Sequence, residues 1–191
     1  MSQPTLPNHT PEPTGRALVV YESMFGNTAA LAGAVRQGLE DSGFAVDVVD
    51  VGDAPPVDEL AIDLLVLGAP THAFSLSRRT TREDAVRQGA SPDHVEVGVR
   101  EWLTGAQRNA ARSSVPLAFF DSRARAARRL PGSAAHKASR LARDAGFPRQ
   151  LGTESFYVDD VNGPLLPGEL DRARAWGRQV AAHLSLRSRV S

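Results

Sequence analysis

The sequence predicts a doubly wound α/β fold, a parallel sheet with helices on both faces, and two observations carry that prediction. Five short apolar runs lack the polar alternation of a half-exposed sheet, which suits strands covered on both sides. Helical patterns separate them, and alternation of this kind folds through right-handed crossovers. At 191 residues the chain is long enough for one well-buried domain and short for two.

Strands are expected at residues 16–21, 44–51, 63–68, 115–120 and 153–158. After the first, Ala29, Leu31, Ala32, Val35 and Leu39 recur at three- and four-residue spacing, which predicts a helix over 27–41 closed by Ser42-Gly43. Further helices are expected over 95–108 and over 133–145, the latter ended by Gly146-Phe147-Pro148. A last one spans 168–184, with Leu170, Ala173, Trp176, Val180 and Leu184 on one face. Ala54-Pro55-Pro56 and the four residues after it leave room for barely a turn or two. The longest irregular stretch, 75–93, holds at most a short helix over 82–88. It leaves the C-terminal end of the third strand, the edge where open α/β sheets bind ligands.

Residues 1–15 are polar and carry Pro4, Pro7, Pro11 and Pro13, so they read as a disordered tail. Residues 16–185 form the expected domain and 186–191 a flexible C-terminal tail. The first residues have neither the charged start nor the apolar run of a signal peptide, no stretch approaches membrane-spanning length, and a cytoplasmic protein is expected. Lys+Arg and Asp+Glu are equal at 22 each, so no global field argues for nucleic acid or an anionic membrane. There are no cysteines, which removes disulfides, iron–sulfur clusters and thiolate metal sites and leaves redox chemistry to a bound cofactor. The five histidines show no metal-ligand spacing, so no metal site is expected.

The most informative stretch is Val19-Val20-Tyr21-Glu22-Ser23-Met24-Phe25-Gly26-Asn27-Thr28. An apolar strand runs into a small, hydroxyl-rich turn and then a helix. Such a junction leaves free backbone N–H groups at a helix N-terminus, where aligned peptide dipoles favour an anion. Ser23, Asn27 and Thr28 add side-chain donors, and Gly26 admits close backbone approach. The stretch is neither a Walker loop, having no lysine after the turn, nor a dinucleotide fingerprint, having one glycine where three are needed.

Val19, Val20, Tyr21, Ser23, Gly26 and Thr28 instead fill the places of the flavodoxin signature. The resemblance implies a flavodoxin-like five-stranded parallel sheet in the order 2-1-3-4-5 and a loop that wraps the 5′-phosphate of FMN. On that carry-over Ser23, Met24, Phe25, Gly26, Asn27 and Thr28 hold the phosphate. Phe25 departs from the Thr of typical flavodoxins, and the Ser-Met-aromatic-Gly form is more similar to the flavodoxin modules of flavodiiron proteins and quinone reductases.

Flavodoxin-like folds hold the flavin ring between the loops after the third and fourth strands. Gly68-Ala69-Pro70-Thr71-His72-Ala73-Phe74 resembles the first, which places Pro70, Thr71, His72, Ala73 and Phe74 along the ring edge. His72 or Phe74 stands where flavodoxins often stack a Trp. The second is the Asp121-Ser122-Arg123 turn, after which only Ala, Arg and Leu occur up to Leu130, so the usual Tyr has no counterpart. Arg123 or Arg125 is left to stack as a guanidinium plane, to touch the ring's edge, or to be solvated. Residues 75–87 carry four Arg against Glu83 and Asp84, and 121–129 four Arg against Asp121. A basic rim is therefore expected, favouring the anionic reduced ring by Coulomb attraction, or receiving an acidic partner or the phosphates of NAD(P)H.

These observations imply an FMN-binding redox protein working between a donor and an acceptor, with no catalytic side chain. Two alternatives share the fold: an NAD(P)H- or deazaflavin-linked quinone or flavin reductase, and a flavin-free interaction module. A phospho-receiver is excluded, since Glu22 stands alone after the first strand and Gly68-Ala69 ends the third. No nucleophile–base pair supports a hydrolase.

Overall fold

A computed structural model describes residues 12–56, 59, 61–92, 95–105 and 114–188. Residues 1–11 of the expected N-terminal tail, 106–108 of the helix expected over 95–108, residues 57, 58, 60, 93, 94 and 109–113, and the last three residues lie outside them.

The chain runs β1 (Gly15–Tyr21), α1 (Asn27–Glu40), β2 (Phe44–Asp50), β3 (Leu64–Pro70), α2 (Arg79–Arg87), α3 (Val99–Gly105), β4 (Leu117–Ala124), α4 (Ala134–Asp144), β5 (Gln150–Asp160), β6 (Gly163–Leu165) and α5 (Glu169–Ser188). The sheet order is β2-β1-β3-β4-β5-β6. Its first five strands are parallel in the order read from the sequence, and β6 adds an antiparallel edge. Three residues containing a Gly and a Pro give β6 no apolar signature, and Pro164 is tolerated because the strand is at the edge.

Side chains alternate between two apolar layers, as the unalternating strands require. Leu18, Val20, Leu65, Leu67 and Phe119 face α3 and α4, while Ala17, Val19, Leu64, Val66 and Phe120 face α1 and α5. On the second side Phe120, Phe156 and Trp176 meet edge to face at 6.0–6.2 Å between ring centres. There α1 and α5 touch through glycines. A Cβ on Gly38 would lie 2.0 Å from the Arg174 carbonyl oxygen, and one on Gly177 would lie 2.5 Å from that of Val35. This close approach sets α1, and hence its N-terminus, against the sheet.

Several boundaries differ from the sequence reading. β3 and β4 run on to Pro70 and Ala124, so Asp121, Ser122 and Arg123 are strand residues rather than a turn. They pair within the sheet although they are polar, because Thr28, the Ala135 N–H and the Ala127 and Leu130 carbonyls meet most of their side-chain groups, leaving Asp121 Oδ1 and Arg123 Nε unpartnered. The helix expected over 82–88 starts three residues earlier, where the Arg78 N–H donates to Thr81 Oγ1 and the Thr81 hydroxyl donates back to the Arg78 carbonyl. α3 begins only at Val99, whose N–H donates to Glu22 Oε2 at 3.0 Å. Leu170 is 46% exposed and leaves the α5 face, which buries Ala173, Trp176, Val180, Ala181 and Leu184 instead. Among the described residues no helix is long and apolar enough to cross a membrane.

Candidate functional site

The site begins where β1 stops. The Glu22 N–H still pairs with the Gly68 carbonyl, and then the chain peels away from the sheet. Gly26 adopts the left-handed region (φ 83°) just before α1, with open space around the position a Cβ would take, so glycine serves the backbone angle there rather than a contact. The backbone N–H groups of residues 24–28 have no hydrogen-bond partner among the described residues. The next one, of Ala29, donates to Ser23 Oγ at 3.2 Å. This row of free donors is what a helix N-terminus offers an anion. Side chains brace it: the Thr28 and Ser122 hydroxyls meet at 2.9 Å, and Asn27 Nδ2 donates to the Asn162 carbonyl at 3.2 Å.

Beside it stands the loop after β3. The Thr71 N–H donates to the Ser122 carbonyl, and Thr71 Oγ1 accepts from the Ala134 N–H at the start of α4 (2.9 Å). His72 and Ser75 exchange backbone hydrogen bonds of 2.9 and 3.0 Å across a two-residue turn. Its central residues, Ala73 and Phe74, have φ of 46° and 62°. Tight turns of this sort ordinarily use Asn-Gly, and each side chain held there costs about 1–2 kcal/mol. Gly132 lies so close behind that a Cβ would come within 2.7 Å of the Phe74 carbonyl oxygen. The turn holds Phe74 outward, 49% exposed, at the mouth of the site.

Between these loops lies a cavity of about 490 Å³. Ser23, Met24, Phe25, Asn27 and Thr28 form one wall, Pro70, Thr71, His72, Ala73 and Phe74 a second, and Ser122 and Arg123 the floor between them. Two groups were not foreseen. Thr81, Asp84, Ala85 and Gln88 line it from α2, at the spacing of one helical face. Val158 and Val161 close it from the β5–β6 end. The three-four spacing on α2 was legible in the sequence, but nothing there said which surface that face covers. Gly26 and Asp121 do not line the cavity. Asp121 is fully buried and accepts from the Ala135 N–H at 2.9 Å, anchoring α4.

The flavodoxin family matches residues 19–84 of this chain. Over 60 residues the chain is 37% identical to the putative diflavin flavoprotein A 2 of Thermosynechococcus vestitus, a match that spans 29% of this chain and 10% of that relative. Among solved structures it superposes on a flavodoxin from the domain Archaea (TM-score 0.59, 17% identity, covering 89% of this chain and 99% of the other). The flavodoxin of Megasphaera elsdenii gives 0.61 at 18% identity, covering 87% and 98%. The flavodiiron protein of Giardia intestinalis gives 0.58 at 13% identity, covering 90% of this chain and 36% of the other. The fold of this chain is that of flavodoxins.

Compared with the sequence expectation, this flavodoxin-like site is less basic at its rim. Arg82 and Arg123 are internal, 0% and 7% exposed. Arg79 pairs with Glu83 and Glu96, Arg87 with Asp84, and Arg125 with Asp159, while Arg128 lies over the Tyr157 ring at 5.2 Å. Six of the eight arginines counted in the two loops are buried, ion-paired or stacked in this way, and Arg78 and Arg129 stay exposed.

Arg82 is the centre of a buried network beside Glu22, where β1 ends. Its guanidinium donates to Ser77 Oγ (2.8 Å) and to the carbonyls of Val95 and Glu96, and it pairs with Glu101 at 3.1 Å. The Glu22 carboxyl shares this space, with Oε1 buried and unpartnered. Burial pushes its pKa up, against hydrogen bonds from Ser77 and Val99 and the charge of Arg82. His72 is pushed down by burial and then by Arg82, so its imidazole is neutral at pH 7. Among the described residues no cluster of His, Asp and Glu could hold a metal ion.

Proposed function

We propose that residues 16–185 of this protein bind FMN in this cavity and that it acts as an electron-transfer flavoprotein between redox partners in the cytoplasm. The observation that carries the reading is the run of unpartnered amides at 24–28, four of whose residues line the same cavity as the 70–74 turn and the end of β4. The residues suit the cofactor. A dianionic phosphate finds backbone donors, a helix N-terminus and the Ser23 and Thr28 hydroxyls, without a cation. A planar ring finds apolar walls in Met24, Phe25, Pro70, Ala73, Phe74 and Val158, with the Thr71 to Phe74 backbone at its edge. Bound there, FMN would supply the electron chemistry. The chain positions the ring and keeps water from it. No side chain is assigned as acid or base.

The test is titration of the purified protein with FMN, followed by absorbance and fluorescence. We expect a shifted flavin spectrum, quenched emission and a Kd at or below about 1 μM, equivalent to roughly 8 kcal/mol. Unchanged free-flavin spectra at a tenfold excess of protein over that value would remove the reading.

A further inference from the structure

Only two residues that line the cavity carry a formal charge, Asp84 and Arg123. Asp84 is neutralised by Arg87. Arg123 is 7% exposed and has no ion-pair partner among the described residues. Its Nη2 donates to the carbonyls of Ala127 and Leu130, which hold the guanidinium in place without cancelling its charge. Its Nε is buried and makes no hydrogen bond. A buried cation with a donor to spare is costly unless something negative arrives to meet it.

The nearest carboxyl in sequence does not serve. Asp121, on the same strand, forms no ion pair with it: Oδ2 accepts from the α4 N-terminus, Ser133 and Ser155 hydrogen-bond the carboxyl, and burial pushes its pKa up against these bonds and the charge of Arg123. A bound phosphate has its own partners in the 24–28 amides. The anion Arg123 awaits is therefore on the other part of the ligand. FMN offers one on reduction: one electron without a proton, or two electrons with one proton, turn the neutral oxidised ring into an anion, and a further proton would discharge it.

Resting on the FMN reading above, we propose that Arg123 is the counter-charge for the anionic reduced ring, so that this site holds reduced FMN at least as tightly as oxidised FMN. Arg123 is then a residue that sets the redox poise. The structure thereby separates the arginines of this loop: Arg125 is outside, paired with Asp159, and Arg123 is inside.

The test measures Kd for oxidised FMN and, anaerobically with dithionite as reductant, for reduced FMN. Wild type is expected to bind the reduced form as tightly or more tightly, and weaker binding of the reduced form overturns the proposal. Arg123→Gln should lose about tenfold on the reduced form, equivalent to about 30 mV for a two-electron couple, with less than about threefold lost on the oxidised form. Arg123→Lys should keep the wild-type ratio. Equal losses on both forms in Arg123→Gln would mean that the arginine only shapes the loop, and would overturn the proposal. If that variant does not fold, the wild-type ratio decides alone. Failure to bind either form refutes the FMN reading itself and leaves Arg123 without a ligand.

Discussion

Arg82→Met will destabilise the protein by about 3 kcal/mol, although methionine roughly preserves the buried volume. The reason is what is left behind. Arg82 is wholly buried, and without it the Ser77 hydroxyl, the Val95 and Glu96 carbonyls and the Glu101 carboxylate lose their donor at once. Glu22 loses the positive charge that offsets its burial. Adding Glu22→Gln should therefore recover about 1 kcal/mol or more, a coupling readable from urea melts of the four-member cycle. Additive effects within about 0.3 kcal/mol would show that the two side chains do not share an environment.

The same pair has a pH signature. The native Glu22 pKa lies above its ordinary value of 4.5, so the native state holds a proton that the unfolded chain releases. Its contribution to stability is full below that ordinary value and falls as pH rises toward the native one. Arg82→Met removes an influence that lowers the native pKa, so the fall should extend to higher pH. In Arg82→Met/Glu22→Gln that component should vanish. Melts between about pH 5 and pH 8 decide it, and a single variant as flat as the double one would contradict the assignment.

Ser23→Ala with Thr28→Val should weaken FMN binding about a hundredfold, roughly 2.7 kcal/mol. Ser23 Oγ holds the Ala29 amide and so shapes the turn whose free amides precede it. Thr28 Oγ1 is buried and meets Ser122, so valine leaves a hydroxyl unpaired in the wall joining the two halves of the site. Some of the effect will appear as stability, since each lost cap or buried hydrogen bond is worth about 1 kcal/mol. Circular dichroism melts separate the two. A loss in affinity below about tenfold, ~1.4 kcal/mol, would show that these hydroxyls are not part of the phosphate site.

The fold was legible because its signals are local and repeated. Apolar runs such as 64–67 and the 29–39 periodicity in α1 name their elements without tertiary knowledge. The strand–turn–helix junction at 19–28 was legible for the same reason, being one continuous segment. The floor of the site was legible in its residues, Ser122 and Arg123, but not in its conformation. Asp121, Ser122 and Arg123 look like a loop because they are polar, and only the arrival of Thr28, Ala135 and the Ala127 and Leu130 carbonyls lets β4 carry them inside. Arg82 misled likewise: counted as rim charge, it is buried by partners up to 19 residues away, including Glu101. β6 lacked any signal, and α2's role as a wall depends on where a long connection is laid down.

The central claim is that the 24–28 amides bind a phosphate. Its most direct measurement compares wild-type affinity for FMN and for riboflavin, which differ only in that group. The structure predicts FMN tighter by at least about a hundredfold, ~2.7 kcal/mol. Equal affinities would contradict it, for the cradle would then be an ordinary helix start.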